Sequence, residues 1–244
     1  IDFVGLTNYI TLFKDSKFYL SLGRTLLYTV CTLPFRVIIP LLVAVLLCSK
    51  RVAGKSLTRT MVYIPVLMSS LVVGITINWM FSQEYGLVNF IIRSLGGTAL
   101  EWSLNPRLAT FVIAFASVWA SIGFNMILYI GGINSISNDL YEAATIDGAS
   151  GVQAFFRITV PMLAPTTFMV VLLSTVNLLK EYALVQGITQ GGPGLSTTFI
   201  IQYIFDKGFN QMQYGYASAI STVVMIIFAL IAFAQFKVNN GGET

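Results

Sequence analysis

Five stretches of this chain are apolar over enough length to cross a bilayer: residues 25–48, 62–81, 108–132, 163–185 and 214–236. A hydrocarbon core of about 30 Å needs about 20 helical residues. No other feature of the sequence restricts the fold so strongly. In lipid every backbone N–H and C=O must find its partner within the protein, so such stretches are helices or closed barrels. The alternating pattern of a membrane barrel is missing. The expected fold is therefore an all-α integral membrane protein. Its five visible spans form a single transmembrane domain over residues 1–244, and no loop is long enough for a second soluble domain. Composition agrees: only 10% of the 244 residues are charged, against about 25% in soluble domains.

Lys and Arg in short loops set the direction of insertion. The segment after the first span holds Lys50, Arg51, Lys55 and Arg59 and is the densest basic loop, which assigns it to the cytoplasm. Alternation then places 82–107 and 186–213 outside, and 133–161 and the tail from Lys237 inside. Arg93, Arg107 and Lys207 moderate the bias without reversing it. The opening segment falls outside with no targeting signal, so a sixth, N-terminal span is expected upstream of residue 1. A five-span chain with a translocated N-terminus is the alternative.

Several chemistries are excluded. With no histidine and two cysteines, His-based acid–base catalysis, Ser-His triads and the common zinc sites are out of reach. Cys31 and Cys48 lie about 25 Å apart on one predicted helix at 1.5 Å per residue, too far to bond. The basic residues form no nucleic-acid patch. Gly54-Lys55-Ser56 ends like a phosphate-binding loop, but Ser49 stands where its first glycine belongs and a membrane helix precedes it. No metal site and no bound cofactor are expected.

One cytoplasmic segment is built differently from the rest. "YEAATIDGASGVQAFFRITVP" (141–161) reads as two short helices. Ser137 or Asn138 caps the first, Asp139 and Glu142 suit its positive end, and Gly148 can close it with a left-handed turn. Ser150 and Gln153 form a capping-box pattern for the second. Pro161 suits the first turn of the next span. Val152, Phe155 and Phe156 leave an apolar face, and exposed apolar groups on a small element call for a partner.

Glu142-Ala143-Ala144, three residues, Gly148, nine residues, Ile158, one residue, Val160 and Pro161 resemble the cytoplasmic motif EAA-x3-G-x9-I-x-L-P of inner-membrane permeases of ABC importers. Val160 in place of Leu is the only departure. "EAATIDGAS" is similar to the sugar and glycerol-phosphate branch in particular. So are "FVGLTNYITLF" (3–13), "TQGGPGLSTT" (189–198) and "YGYASAIS" (214–221). The resemblance covers essentially the whole chain. It implies that the 137–161 loop docks on an ATP-hydrolysing subunit through Glu142, Ala143, Ala144 and Gly148. It also implies a second permease subunit, usually a different but related chain, two cytoplasmic ATP-binding subunits that carry ATP and Mg, and an extracytoplasmic solute-binding protein. The setting is a bacterial or archaeal inner membrane, and the chain itself would perform no covalent chemistry.

Polar residues at helical spacing inside spans are costly in lipid and face the bundle. Trp119, Ser121 and Asn125 of the third span, Asn177, Glu181 and Tyr182 of the fourth, and Asn78 and Trp79 of the second mix amides, hydroxyls and aromatic rings. That mixture suits a carbohydrate or polyol pathway; the other use of such residues is helix–helix packing. Arg36, between Pro34 and Pro40, is expected at a bend or break of the first helix. "QGGPG" (190–194) reads either as a flexible external turn that meets a solute-delivering protein or as a plain turn. Three rivals remain: a permease for another small solute, an ion-coupled carrier, and a membrane enzyme. The carrier would need a carboxylate relay and inverted repeats, and Glu181 alone qualifies. The enzyme would need a dyad or metal ligands that the spans do not offer.

Overall fold

The computed structural model describes residues 4–49 and 54–240; Lys50 and Arg51 of the basic loop lie outside them. Among the described residues the regular structure is entirely helical. The order is α1 (Thr7–Phe13), α2 (Ser16–Cys48), α3 (Lys55–Leu67), α4 (Ser70–Met80), α5 (Leu87–Ser94), α6 (Pro106–Asn134), α7 (Asn138–Ile146) and α8 (Gly151–Ala154). A π turn (Phe155–Thr159) leads into α9 (Val160–Met162). Then come α10 (Ala164–Leu179), α11 (Ala183–Ile188) and α12 (Ile200–Phe205), a second π turn (Asp206–Asn210), and α13 (Tyr214–Asn240).

Among the described residues, helices α2, α6 and α13 are each long and apolar enough to cross a membrane, and the count rises to five where each of two bent helix pairs is taken as one span. The first, third and fifth expected spans therefore stand as single helices. The second and fourth do not. Residues 62–81 are divided between α3 and α4, because Pro65 weakens the last turn of α3 and Ser69 takes an extended backbone (φ −60°, ψ 134°) just before α4. The tract expected at 163–185 ends at Leu179, and Ala183 starts a separate short helix. At its other end, the helical stretch 151–162 meets α10 at a 67° bend. Pro161 and Pro165 flank that bend. Pro161 has no N–H for the Arg157 carbonyl and its ring crowds that carbonyl; the backbone widens there into the π turn. Pro161 thus stands in the first turn of the short α9, where its missing N–H costs little, and the bend into α10 follows it.

Of the bend or break expected near Arg36, the break does not occur: α2 runs uninterrupted through Pro34 and Pro40. Its polar early turns are accommodated by local bonds. Ser21, Thr25 and Thr29 donate their hydroxyls to the carbonyls of Phe18, Ser21 and Thr25 at 3.0, 2.8 and 2.8 Å. Helix α2 consequently starts at Ser16, well before the apolar stretch begins.

Contacts group the chain into two compact units, residues 1–32, 68–117 and 175–244 in one and 33–67 and 118–174 in the other. The core of the first gathers Leu12, Phe18, Ile200, Tyr203, Tyr216 and Ile220. Within it α4 crosses α11 at two glycines. A Cβ on Gly187 would lie 2.7 Å from the Leu71 carbonyl and 2.9 Å from the Gly74 Cα, so only glycine permits this approach, as in other close membrane crossings. Asp15 fastens the same unit. Its Oδ2 accepts the hydroxyls of Tyr203 and Tyr216, and its Oδ1 accepts the Lys17 amide at 2.9 Å. The core of the second unit gathers Ala44, Leu47, Met126, Tyr129, Ile130, Ile136, Leu163 and Val170.

Candidate functional site

The helical hairpin forms as its sequence dictates. Ser137 is the N-cap of α7, its Oγ accepting the Asp139 amide at 3.3 Å. Gly148 adopts φ +77° after α7. Ser150 and Gln153 complete a reciprocal capping box, at 3.3 and 2.7 Å. These local bonds fix the turn between α7 and the following helical stretch without help from the rest of the fold.

The hairpin is anchored on one side and open on the other. The Tyr141 hydroxyl lies 2.9 Å from the Thr159 Oγ1, tying α7 to the π turn. Tyr141 and Ile158 pack on the core that contains Ile136 and Leu163. Glu142, Ala143 and Gly148 are exposed and Ala144 is half-buried. Ile146 is 86% exposed, and Val152 and Phe156 are also open. The result is an apolar, weakly charged face on a clamped base. A face like this is suited to docking on another surface.

The polar positions of the spans divide by environment. On α6, Asn125 is buried and donates to the Arg36 carbonyl at 2.9 Å and to the Ser174 Oγ at 3.2 Å. The Arg36 carbonyl is the one that Pro40, four residues on, cannot serve. Asn125 thus repairs the helical bond that the proline removes, which is how membrane proteins keep prolines inside helices. Arg36 itself is only 6% exposed. Ser121 returns its hydroxyl to the Val118 carbonyl at 2.9 Å, and Trp119 is part-exposed. On α4, Asn78 is exposed and Trp79 is 77% exposed. Asn177 of α10 is exposed, whereas Glu181, just beyond it, is buried and accepts the Leu184 amide at 3.4 Å. Tyr182 packs its ring 5.1 Å from that of Phe205. Among the described residues, no group of three or more carboxylates and cysteines could hold a metal.

The glycine-rich loop is held by side-chain hydrogen bonds of its threonines. Thr197, fully buried, donates to the Gly192 carbonyl at 2.7 Å and lies 2.8 Å from the Thr189 hydroxyl. Thr198 donates to the Gly191 carbonyl at 3.3 Å. The threonines that follow the glycines carried this information in the sequence, through their capacity to bond turn carbonyls.

Comparison with known proteins follows the same lines. Over 244 aligned residues the chain is 34% identical to the probable ABC transporter permease protein YurN of Bacillus subtilis (strain 168), covering 99% of this chain and 84% of that one. It is 32% identical to the arabinooligosaccharides transport system permease protein AraP of the same organism, covering 98% and 77%. The fold matches that of a bacterial alginate ABC transporter solved in complex with an alginate pentasaccharide-bound periplasmic protein. There the TM-score is 0.86 at 24% identity, over 95% of this chain and 81% of the other. The family model described as binding-protein-dependent transport system inner membrane component matches residues 9–240. The chain belongs to that family of inner-membrane transport components.

Proposed function

We propose that this chain is the permease subunit of an ATP-driven importer, and that it lines the path of a carbohydrate or related polyol across the membrane. The solute class is supported by relatives such as the arabinooligosaccharide permease and by the mixture of amides and aromatic rings on α4, α6 and α10. The observation that carries the mechanism is the hairpin: a motif face of Glu142, Ala143, Ala144 and Gly148, open on a base clamped by Tyr141 and Thr159.

On this reading the hairpin lies in the cytoplasm, as the basic-loop bias assigns it, and docks on one of two ATP-binding subunits. These hold ATP and its magnesium ion. A second, related permease completes the pathway, and a binding protein delivers the solute from outside. Closure of the ATP-binding subunits moves the hairpin as a rigid lever, and α6 and α10 follow it. A ligand can shift such an equilibrium only by binding its two states differently. A docked, rigid helix meets that requirement, where a mobile loop would absorb the motion. Asn78, Trp79, Trp119, Ser121, Asn177, Glu181 and Tyr182 are the proposed pathway contacts. Asn125 joins them through its hold on α2.

Glu142→Lys tests the docking. The residue is exposed, so the variant should fold and insert normally. ATP-driven uptake of a labelled saccharide should be lost, and the ATP-binding subunits should be released on purification. Normal uptake by this variant would overturn the assignment.

A further inference from the structure

In the unit built from residues 1–32, 68–117 and 175–244, the start of α2, the end of α11 and the 200–211 region enclose a cleft of about 380 Å³. This is at the small end of the range of about 300–1,000 Å³ found for small-molecule sites. None of the span residues proposed above lines it. One wall is Gln202, only 8% exposed. Its Nε2 donates to the Gln186 Oε1 at 3.3 Å, but its own Oε1 is buried without a hydrogen-bond partner. Gly191 presses on the same carboxamide: a Cβ there would come within 3.1 Å of the Nε2, and φ is +93°. A buried acceptor left unmade is costly, so this oxygen marks a place where a donor belongs.

The surroundings identify the donor. Lys17, Arg24 and Lys207 line the cleft against one carboxylate, Asp206. That carboxylate is already taken by the side-chain amides of Asn210 and Gln211, at 3.0 and 2.7 Å. A cationic donor would meet net like charge. A hydroxyl would not, and the neighbouring guanidinium, ammonium and amide groups can donate in turn to hydroxyl oxygens. Carboxamides such as Gln186 and Gln202 both donate and accept, which matches adjacent hydroxyls on one molecule. We infer that this cleft is a second solute site, separate from the span residues, which takes a polyhydroxylated molecule through a hydroxyl donated to the Gln202 Oε1. The charge bias of the loops puts it on the outer side, where solute arrives. The inference rests on the reading that the chain conducts a polyol.

The test is local. Both native cysteines are replaced by alanine, Leu195→Cys places a thiol at an exposed lining position, and the full chain with its co-purifying subunits is placed in lipid nanodiscs. Maleimide labelling of that thiol is then timed with millimolar trehalose, L-arabinose or glycerol, and with tetramethylammonium chloride as a control. At least one polyol should slow labelling, and the control salt should not. Gln202→Leu should weaken the half-protecting concentration about fivefold, as expected for one lost hydrogen bond. Gln202→Glu keeps the acceptor and should restore it. If a polyol that the assembly imports gives no protection, the cleft assignment fails while the permease reading stands. Protection unchanged by Gln202→Leu, or no better with Gln202→Glu than with Gln202→Leu, also overturns it. If the assembly imports no polyol and none protects, both readings fall.

Discussion

The bond between Asn125 and the Arg36 carbonyl allows a sharp test of how α2 keeps Pro40. Removing the amide in Asn125→Leu strands a buried carbonyl that no helical N–H can serve, because residue 40 is proline. Leaving a buried polar group unmade costs about 1–3 kcal/mol. In Pro40→Ala the helix supplies its own N–H to that carbonyl. The amide then offers an ordinary interhelical bond, which averages about 0.6 kcal/mol in membrane proteins. Asn125→Leu should therefore cost on the order of 1 kcal/mol more with Pro40 present than with Pro40→Ala. The loss at Ser174, whose Oγ accepts the same amide at 3.2 Å, is common to both backgrounds and cancels. The measurement is a double-mutant cycle by reversible unfolding of the full chain in mixed micelles. Contacting residues typically show interaction energies of about 0.5–3 kcal/mol. Equal cost in both backgrounds, within about 0.3 kcal/mol, would refute the repair.

Four further outcomes follow from other positions. Gly187→Val should destabilise the unit by on the order of 3 kcal/mol through forced overlap with the α4 backbone. Gly23→Ala, with open space around it, should stabilise slightly by removing a flexible residue from α2; thermal melts of the two separate crowding from general sensitivity. Burial pushes the Asp15 carboxyl up, but the hydroxyls of Tyr203 and Tyr216 and the amides of Lys17 and Phe18 outweigh it, and the net shift is downward. Such a group stabilises the fold above its unfolded pKa of about 3.9 and loses that contribution as pH falls below it. Unfolding midpoints measured from pH 5 downward should decline in the wild type, and the decline should be shallower in Asp15→Asn. Finally, Tyr141→Phe removes the tie to Thr159 at the base of the hairpin while leaving the motif face intact. It should retain the ATP-binding subunits yet lower the solute moved per ATP, and unchanged stoichiometry would count against the lever.

The parts of this fold that were legible in the sequence are those written locally. The caps at Ser137 and Ser150 and the left-handed Gly148 depend on residues within a few positions of each other, and each formed as read. The existence of five apolar tracts was equally plain. The start of the fourth near residue 163 was plain as well, but the breaks inside the second and fourth, at Ser69 and at residues 180–182, were not, because a polar residue or two within an apolar tract does not by itself end a helix. Proline was an incomplete guide. Pro34 and Pro40 do not break α2, since a neighbouring helix can restore what a proline removes, and that neighbour is remote in sequence. Asp15 and Tyr203 meet across 188 positions, and Thr25 serves the Ile200 amide across 175. No periodicity can reveal such pairs. The Gln202 cleft was illegible for the same reason: its walls come from segments almost the length of the chain apart.

The same distinction sorts the intramembrane polar residues, which look alike in a sequence. A side chain whose partner is a backbone carbonyl within the fold, such as Asn125 or Ser121, satisfies a structural need wherever else it acts. An amide that stands exposed on an apolar helix has no such partner. Asn78 on α4 and Asn177 on α10 are in that position, and Trp79 beside Asn78 is equally open. Acyl chains offer an amide nothing to bond, and burial in them would be penalised. Those faces are therefore expected against water, solute or another polypeptide. Lipid belongs instead on purely apolar faces, such as the one α13 presents through Leu230 and Phe233. If α4 and α10 do not border the pathway, these two amides have to be covered by a partner subunit, and either arrangement keeps those faces away from the bilayer.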